Sequence, residues 1–410
     1  IINFYVGKLP GEVGSRFKAL SLLTLAQYWQ SSDGNLQRAA RTLILSTVHA
    51  RGEQALRAEV FYWSSQRKLA MGGLAAAAGV ARGPAEDSDV LSALTIVCVI
   101  GADYPWLVPL TARSTAAGQL QALVAGERGG ERARMVAMEL VSRGFGAFAA
   151  HVDTRAVVRR LLAAMMAVED DGGAVSFEAV VAAKSALLRM AAADMTAVSG
   201  AAAAILADDG EGVRERRGAL QLVALLALKS AARLRPHVAR VAAAIVQAIE
   251  PKRATARRLV IGAAGAALQG LVRAFPAVAF HAASQCLAVG ADDGTCTTYD
   301  LRSATRTAVY DGGGRVAAVA ISPQGDRVAS FAVPAGVLSV WDPAPSALAM
   351  FARSLLWPAA DAEPQPPGSV APTKTMAIPP AYLHDAHEIS LAWTADRTCM
   401  STPLQKMPPP

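Results

Sequence analysis

The sequence predicts a multidomain α+β chain in which an array of helices is followed by short antiparallel β units. Three observations carry that prediction. Apolar residues keep helical spacing from about Ser15 to Ala274. Short β-rich runs divided by turn residues replace that spacing after Ala277. Within the β region Tyr299-Asp300 and Trp341-Asp342 stand 42 positions apart, inside the roughly 40–45-residue period of a WD-repeat propeller blade.

In the helical part, Val157, Val158, Leu161, Leu162 and Met165 form one apolar stripe, and Val238, Val241, Ile245 and Ile249 form another. Polar or Gly/Pro breaks recur at Ser32-Asp33-Gly34, Gly83-Pro84, Gly129-Gly130, Asp170-Asp171-Gly172-Gly173, Asp208-Asp209-Gly210 and Arg235-Pro236. Helices of roughly 12–20 residues with no strand signal between them point to an α-solenoid of the HEAT or armadillo type, with a compact helical bundle as the alternative. Its expected extent is residues 1–274. A chain 53% hydrophobic but only 6% aromatic, with much of the apolar share in alanine, favours close helix stacking. The longest apolar runs, Val90–Ala102 and Leu259–Val272, fall short of the roughly 20 residues of a membrane span and read as buried core helices.

Residues 275–343 are expected to form two WD-repeat blades, beginning with a strand at Ala277-Val278-Ala279-Phe280. The run from Cys286 through the turn Ala291-Asp292-Asp293-Gly294 to Asp300 is echoed by Arg327–Phe331 and Val337–Asp342. In the turn Ser322-Pro323-Gln324-Gly325-Asp326, Pro323 presets φ and Gly325 is free to adopt a positive φ. The Gly-His element that usually accompanies such a dipeptide is missing, and Gly312-Gly313-Gly314 stands in its place. Closing a propeller takes about 4–8 blades, so the others must come from upstream sequence or a partner chain. The start at Ile1, without an initiator methionine, reads as part of something larger. Residues 344–387 are proline-rich and read as a linker or insert. Residues 388–410 read as a terminal strand, Ile389–Trp393, and a tail.

The net charge of +7 comes mainly from scattered arginines, with clusters at Arg214, Arg216 and Arg217 and at Lys252, Arg253, Arg257 and Arg258. These read as solvated helix faces, with an acidic partner or lipid headgroups as the other use. No aromatic residues interleave with them, which argues against nucleic-acid binding. Cys98, Cys286, Cys296 and Cys399 show no metal-ligand spacing and read as free thiols in a reducing cytoplasm. Gly312-Gly313-Gly314 lacks the Lys-Ser/Thr of a phosphate loop. Asp170-Asp171, Asp208-Asp209 and Asp292-Asp293 all fall in turns. Of His49, His151, His237, His281, His384 and His387, only the last two are near neighbours, and neither has metal-site company beyond Asp385 and Glu388. His281 reads as a turn or core-edge residue. The reading is therefore a non-enzyme, with no catalytic, cofactor-binding or metal residues assigned. A hydrolase or nucleotide-dependent regulator assembled from distant residues is the competing class.

The chain resembles the C-terminal part of the rabconnectin-3 beta family of WD-repeat proteins. The likeness rests on Ile96–Tyr104, on Glu139–Phe145 followed by His151-Val152-Asp153, and most strongly on Ala279 to Trp341. Within the last stretch lie Leu287-Ala288-Val289-Gly290, Tyr299-Asp300-Leu301-Arg302, Val319–Pro323 and Val340-Trp341, and Leu391–Thr394 with Asp396-Arg397 resembles the family's final strand. The resemblance implies a non-catalytic scaffold, cytoplasmic and peripherally associated with endomembranes. Its implied partners are a rabconnectin-3 alpha-like subunit and the peripheral sector of the vacuolar-type proton ATPase, whose assembly it would support. A WD-repeat and solenoid scaffold in vesicle trafficking or ciliary transport is the alternative.

Overall fold

A computed structural model describes residues 8–16, 20–64, 84–127, 129–166, 177–208, 210–342, 372–378, 389–393 and 399–403. The chain is α+β: a helical N-terminal region precedes two four-stranded antiparallel sheets. It forms two compact units, Ile1–Ala201 and Ala202–Pro410.

The first unit is helical. Its longer helices are α1 (Leu22–Trp29), α2 (Gly34–Ala50), α3 (Glu53–Ser64), α4 (Pro84–Asp103), α5 (Leu110–Ala125), α6 (Glu131–Arg143), α7 (Thr154–Met165) and α8 (Phe177–Ala193), and α9 (Met195–Ala207) contains the division. Their starts follow local chemistry. The side chains of Ser21, Asp33 and Asp153 accept backbone N–H bonds at the heads of α1, α2 and α7, satisfying donors that a helix leaves free. Gly126 ends α5 in the left-handed region at φ 76°, which suits glycine. α4 is the central element and packs on α1, α3 and α6. From Leu91 to Ile100 every residue is buried. Ser92 and Thr95 sit in this apolar setting because each hydroxyl donates to the carbonyl one turn back, Ser88 and Leu91. The stripe at Val157, Val158, Leu161, Leu162 and Met165 is buried as its spacing requires.

The second unit layers helices and strands. α10 (Val213–Lys229), α11 (Val238–Ala248) and α12 (Ala254–Ala274) pack together. The first sheet is a meander of β1 (Val278–His281), β2 (Cys286–Gly290), β3 (Thr295–Asp300) and β4 (Thr305–Asp311). The second repeats the order with β5 (Arg315–Ile321), β6 (Val328–Val333), β7 (Val337–Trp341) and β8 (Lys374–Ala377). Ala288, Cys296 and Tyr310 of the first sheet meet Val316, Val319, Val328 and Trp341 of the second in one buried cluster. The hairpin of β9 (Ile389–Trp393) and β10 (Cys399–Pro403) places Ile389 against Ala318, Phe331 and Leu338 of the second sheet. α11 contacts β2, and α12 contacts β1.

Several sequence expectations need correction. Arg216, grouped with Arg214 and Arg217 on a solvated face, is 2% exposed and donates to the Asp208 carbonyl. Leu259–Val272 is not a fully buried helix: Leu259 is 57% and Ile261 48% exposed, while Val260, Ala264, Ala267 and Leu271 are buried. A continuous apolar run hides which face has a partner. Lys374–Ala377, inside the proline-rich stretch, is the fourth strand of the second sheet; lying between prolines and exposed throughout, it lacks the alternation that marks a half-buried strand. Cys399–Pro403, assigned to the tail, pairs with β9. Most of residues 344–387, including His384 and His387, lies outside the described residues. Among the described residues no helix is long and apolar enough to cross a membrane.

Candidate functional site

Charged side chains gather around a cavity of the first unit where α2, α6 and α8 face one another. A cleft of about 430 Å³ there is lined by Arg41 of α2, Arg132 and Glu139 of α6, and Glu178 and Arg189 of α8, among others. Glu139 is the hub. It forms an ion pair with Arg41, lies 4.0 Å from Arg189 and accepts a bond from Trp29 Nε1 at 3.3 Å. The Arg41 guanidinium also lies 5.7 Å from the centroid of the Trp29 ring, within cation–π range. Arg132 is held by a bond from its Nε to the Gln30 carbonyl at 3.1 Å.

The electrostatics are unbalanced. Burial pushes the Arg41 pKa below its ordinary value; Glu139 opposes that shift, while Arg189 and Arg132 add to it. Arg41 Nε is buried and has no hydrogen-bond partner. Arg41 and Arg189 share the Glu139 carboxylate, and Arg132 lines the same cleft, so three guanidinium groups meet there beside two carboxylates, Glu139 and Glu178. Among the described residues the lining also includes Ser32, Ser142 and Ser185. Sequence reasoning did not single out Arg41, Arg132 or Arg189. They sit on separate helices, and nothing in their spacing signals convergence.

In the second unit the two aspartate dipeptides occupy equivalent places. Tyr299-Asp300 ends β3, and Trp341-Asp342 ends β7, the third strand of each meander. Asp300 caps its turn, accepting from Arg302 N at 2.9 Å and from Ser303 Oγ at 3.0 Å. Trp341 is fully buried and stacks on Tyr310, with ring centroids 5.0 Å apart and an interplanar angle of 24°. Burial is the main cause that pushes the Tyr310 pKa up to about 12. Trp341 Nε1 and Ser330 Oγ are buried with no hydrogen-bond partner. A side chain at residue 312 would begin 3.5 Å from Ser330 Oγ. The glycine there offers no group to satisfy it.

The other residues considered in the sequence fall into structural roles. His281 Nδ1 accepts from Ser284 N at 3.3 Å, which leaves Nε2–H to donate to the Pro323 carbonyl at 3.0 Å. It therefore joins the turn after β1 to the turn after β5. His49 lies 3.2 Å from Asp103, which also pairs with Arg143. The Asp293 carboxylate accepts from both the hydroxyl and the backbone N–H of Thr295, and those bonds hold its pKa below the ordinary value. Asp208 Oδ1 accepts from Gly210 N at 2.8 Å. Asp170-Asp171 and Asp209 lie outside the described residues. Gly313 and Gly325 adopt φ of 72° and 75°, and β5 follows Gly314 directly. Cys98, Cys286 and Cys296 are free thiols. Among the described residues no group of His, Cys, Asp and Glu is placed to hold a metal.

No protein-family model matches the chain, and no curated protein matches it.

Proposed function

We propose that this chain is a non-catalytic scaffold, its β region built of WD-repeat blades and its helical region of the HEAT or armadillo type. The observation that supports this best is the matched pair of meanders, each with its aromatic-aspartate dipeptide at the end of the third strand. Equivalent placement in space adds to the 42-residue interval, because a chance recurrence of the dipeptide has no reason to land on the same strand end. Two blades leave open sheet faces, and surfaces of that kind recruit partners.

The proposal extends to a rabconnectin-type complex that supports assembly and regulation of the vacuolar-type proton ATPase. Its partners there are an alpha-like subunit and the ATPase peripheral sector, at the cytoplasmic side of endomembranes. Support for this part comes from the family resemblance of the stretch from Ala279 to Trp341 and from the order of elements, helices before two meanders, the second of which is interrupted by the proline-rich stretch.

Affinity purification of the native full-length protein at mild salt, with cross-linking and mass spectrometry, tests both parts. The expected result is recovery of ATPase peripheral-sector subunits with an alpha-like partner. Recovery of coat, tethering or axonemal proteins without any ATPase subunit would keep the scaffold and overturn the pathway. Nucleotide turnover by the purified chain, lost on substitution of one residue, would overturn the scaffold reading itself.

A further inference from the structure

Helix α12 carries two apolar stripes, one fully covered and the other covered only at Leu268, which is 8% exposed. Val260, Ala264, Ala267 and Leu271 are at most 1% exposed on a helix that packs against α10. The second stripe, Ile261, Gly265, Leu268 and Val272, lines a groove of about 370 Å³ whose far wall includes Phe280 of β1 and Leu301 after β3. Ile261 and Phe280 remain 48% and 42% exposed. A helix apolar on two faces ordinarily buries both.

The charges around this groove share one sign. Arg257, Arg273 and Arg302 line it, and among the described residues no Asp or Glu does. Arg257 donates to the carbonyls of Arg302 and Leu301 at 3.1 and 3.2 Å, and Arg302 donates to the Ala283 carbonyl at 2.8 Å. These bonds position the guanidinium groups without neutralising them. Arg257, which the sequence placed on a solvated face, is thus an anchor between α12 and the turn after β3. The floor is smooth as well: a Cβ added at Gly265 meets nothing within 4 Å, so an incoming backbone can approach the helix closely there.

We propose that this groove docks an amphipathic helix of a partner protein, with its apolar face on Ile261, Val272 and Phe280 and its acidic flanks against Arg257, Arg273 and Arg302. Apolar anchors at helical spacing recognise such a groove, and a one-sign rim selects the charge of the flanks. The inference is independent of the pathway proposed above, since it needs only this surface.

The test uses the full chain and two labelled designed helices, each with leucine on one face and either glutamate or lysine on the other. The acidic helix is expected to bind at least about 10-fold more tightly than the basic one, and to weaken as salt rises. Gly265→Leu fills the groove from within a helix interior, where a residue other than glycine is the better helix former. It should weaken binding more than about 10-fold while the melting temperature holds or rises. Arg273→Glu, at an exposed position, should weaken the acidic helix and strengthen the basic one. Equal binding of both helices, or unchanged binding by Gly265→Leu, overturns the proposal. Dimerisation of the chain alone that Gly265→Leu abolishes also overturns it, and makes a second copy the occupant.

Discussion

Replacing Trp341 gives the sharpest check on the packing between the two sheets. The indole is fully buried, stacked on Tyr310 and enclosed by Val316, Val319 and Val328. Trp341→Ala removes the whole ring and leaves a cavity in a site held by two sheets, at a cost of about 3–5 kcal/mol. Trp341→Phe keeps a ring against Tyr310 and so retains an aromatic pair worth about 0.5–1.5 kcal/mol. It loses the volume of the second ring, at about 1–2 kcal/mol. It also removes an indole N–H that has no partner, relieving a burial penalty of about 1–3 kcal/mol. The two terms nearly cancel, so Trp341→Phe should fall within about 1 kcal/mol of the parent. Urea unfolding followed by circular dichroism supplies the midpoints, and hydrogen exchange localises the loss to the strands, which matters in a chain of two units. If the phenylalanine variant costs as much as the alanine variant, the indole N–H has a partner it depends on, and the reasoning fails.

Other expectations follow from the same geometry. Glu139→Gln leaves Arg41 and Arg189 without their shared carboxylate, next to Arg132 in the same cleft. It should lower stability by about 1–3 kcal/mol, between the values for exposed and buried pairs, and inorganic phosphate should then raise the melting temperature of the variant more than that of the parent. Burial pushes Cys98 and Cys296 up to about 12 from an ordinary 9.0. Their thiols stay protonated in the folded chain while those of the unfolded chain ionise, so stability should decline with rising pH from about 9 to about 12. Titration of the unfolding midpoint checks this, and native-state alkylation near neutral pH should spare both residues relative to the unfolded chain. His281→Ala removes a bond between two turns and should cost about 1 kcal/mol, read as faster hydrogen exchange in residues 322–326.

How much of this was legible depended on whether the signal was local. The stripe from Val157 to Met165 and the caps at Asp33 and Asp153 act over a turn or two of helix, so residue spacing gives both. The third-strand dipeptides were legible for a similar reason: each lies at the end of a short strand that pairs with the strand just before it. β8 was not legible, because its pairing with β7 joins segments on either side of the proline-rich stretch and its exposed side chains carry no alternation. The arginine cleft was hidden for a related reason. Its members are ordinary surface-type arginines on separate helices, and only the packing of α2, α6 and α8 makes them neighbours. The groove on α12 was half legible, as an apolar run whose length was plain and whose uncovered face was not.

The closing strand of the second sheet has a consequence for that sheet's register and its margin. Thr373 N donates to the Val340 carbonyl at 2.8 Å, and Thr373 Oγ1 to Asp342 at 3.2 Å, so the insert leaves and rejoins the sheet at one point. Because these bonds tie Thr373 to Val340 and Asp342, the register of β7 with β8 is fixed at the described ends of the two strands. β8 presents Lys374 on the sheet's outer margin, a residue type that discourages edge-to-edge association.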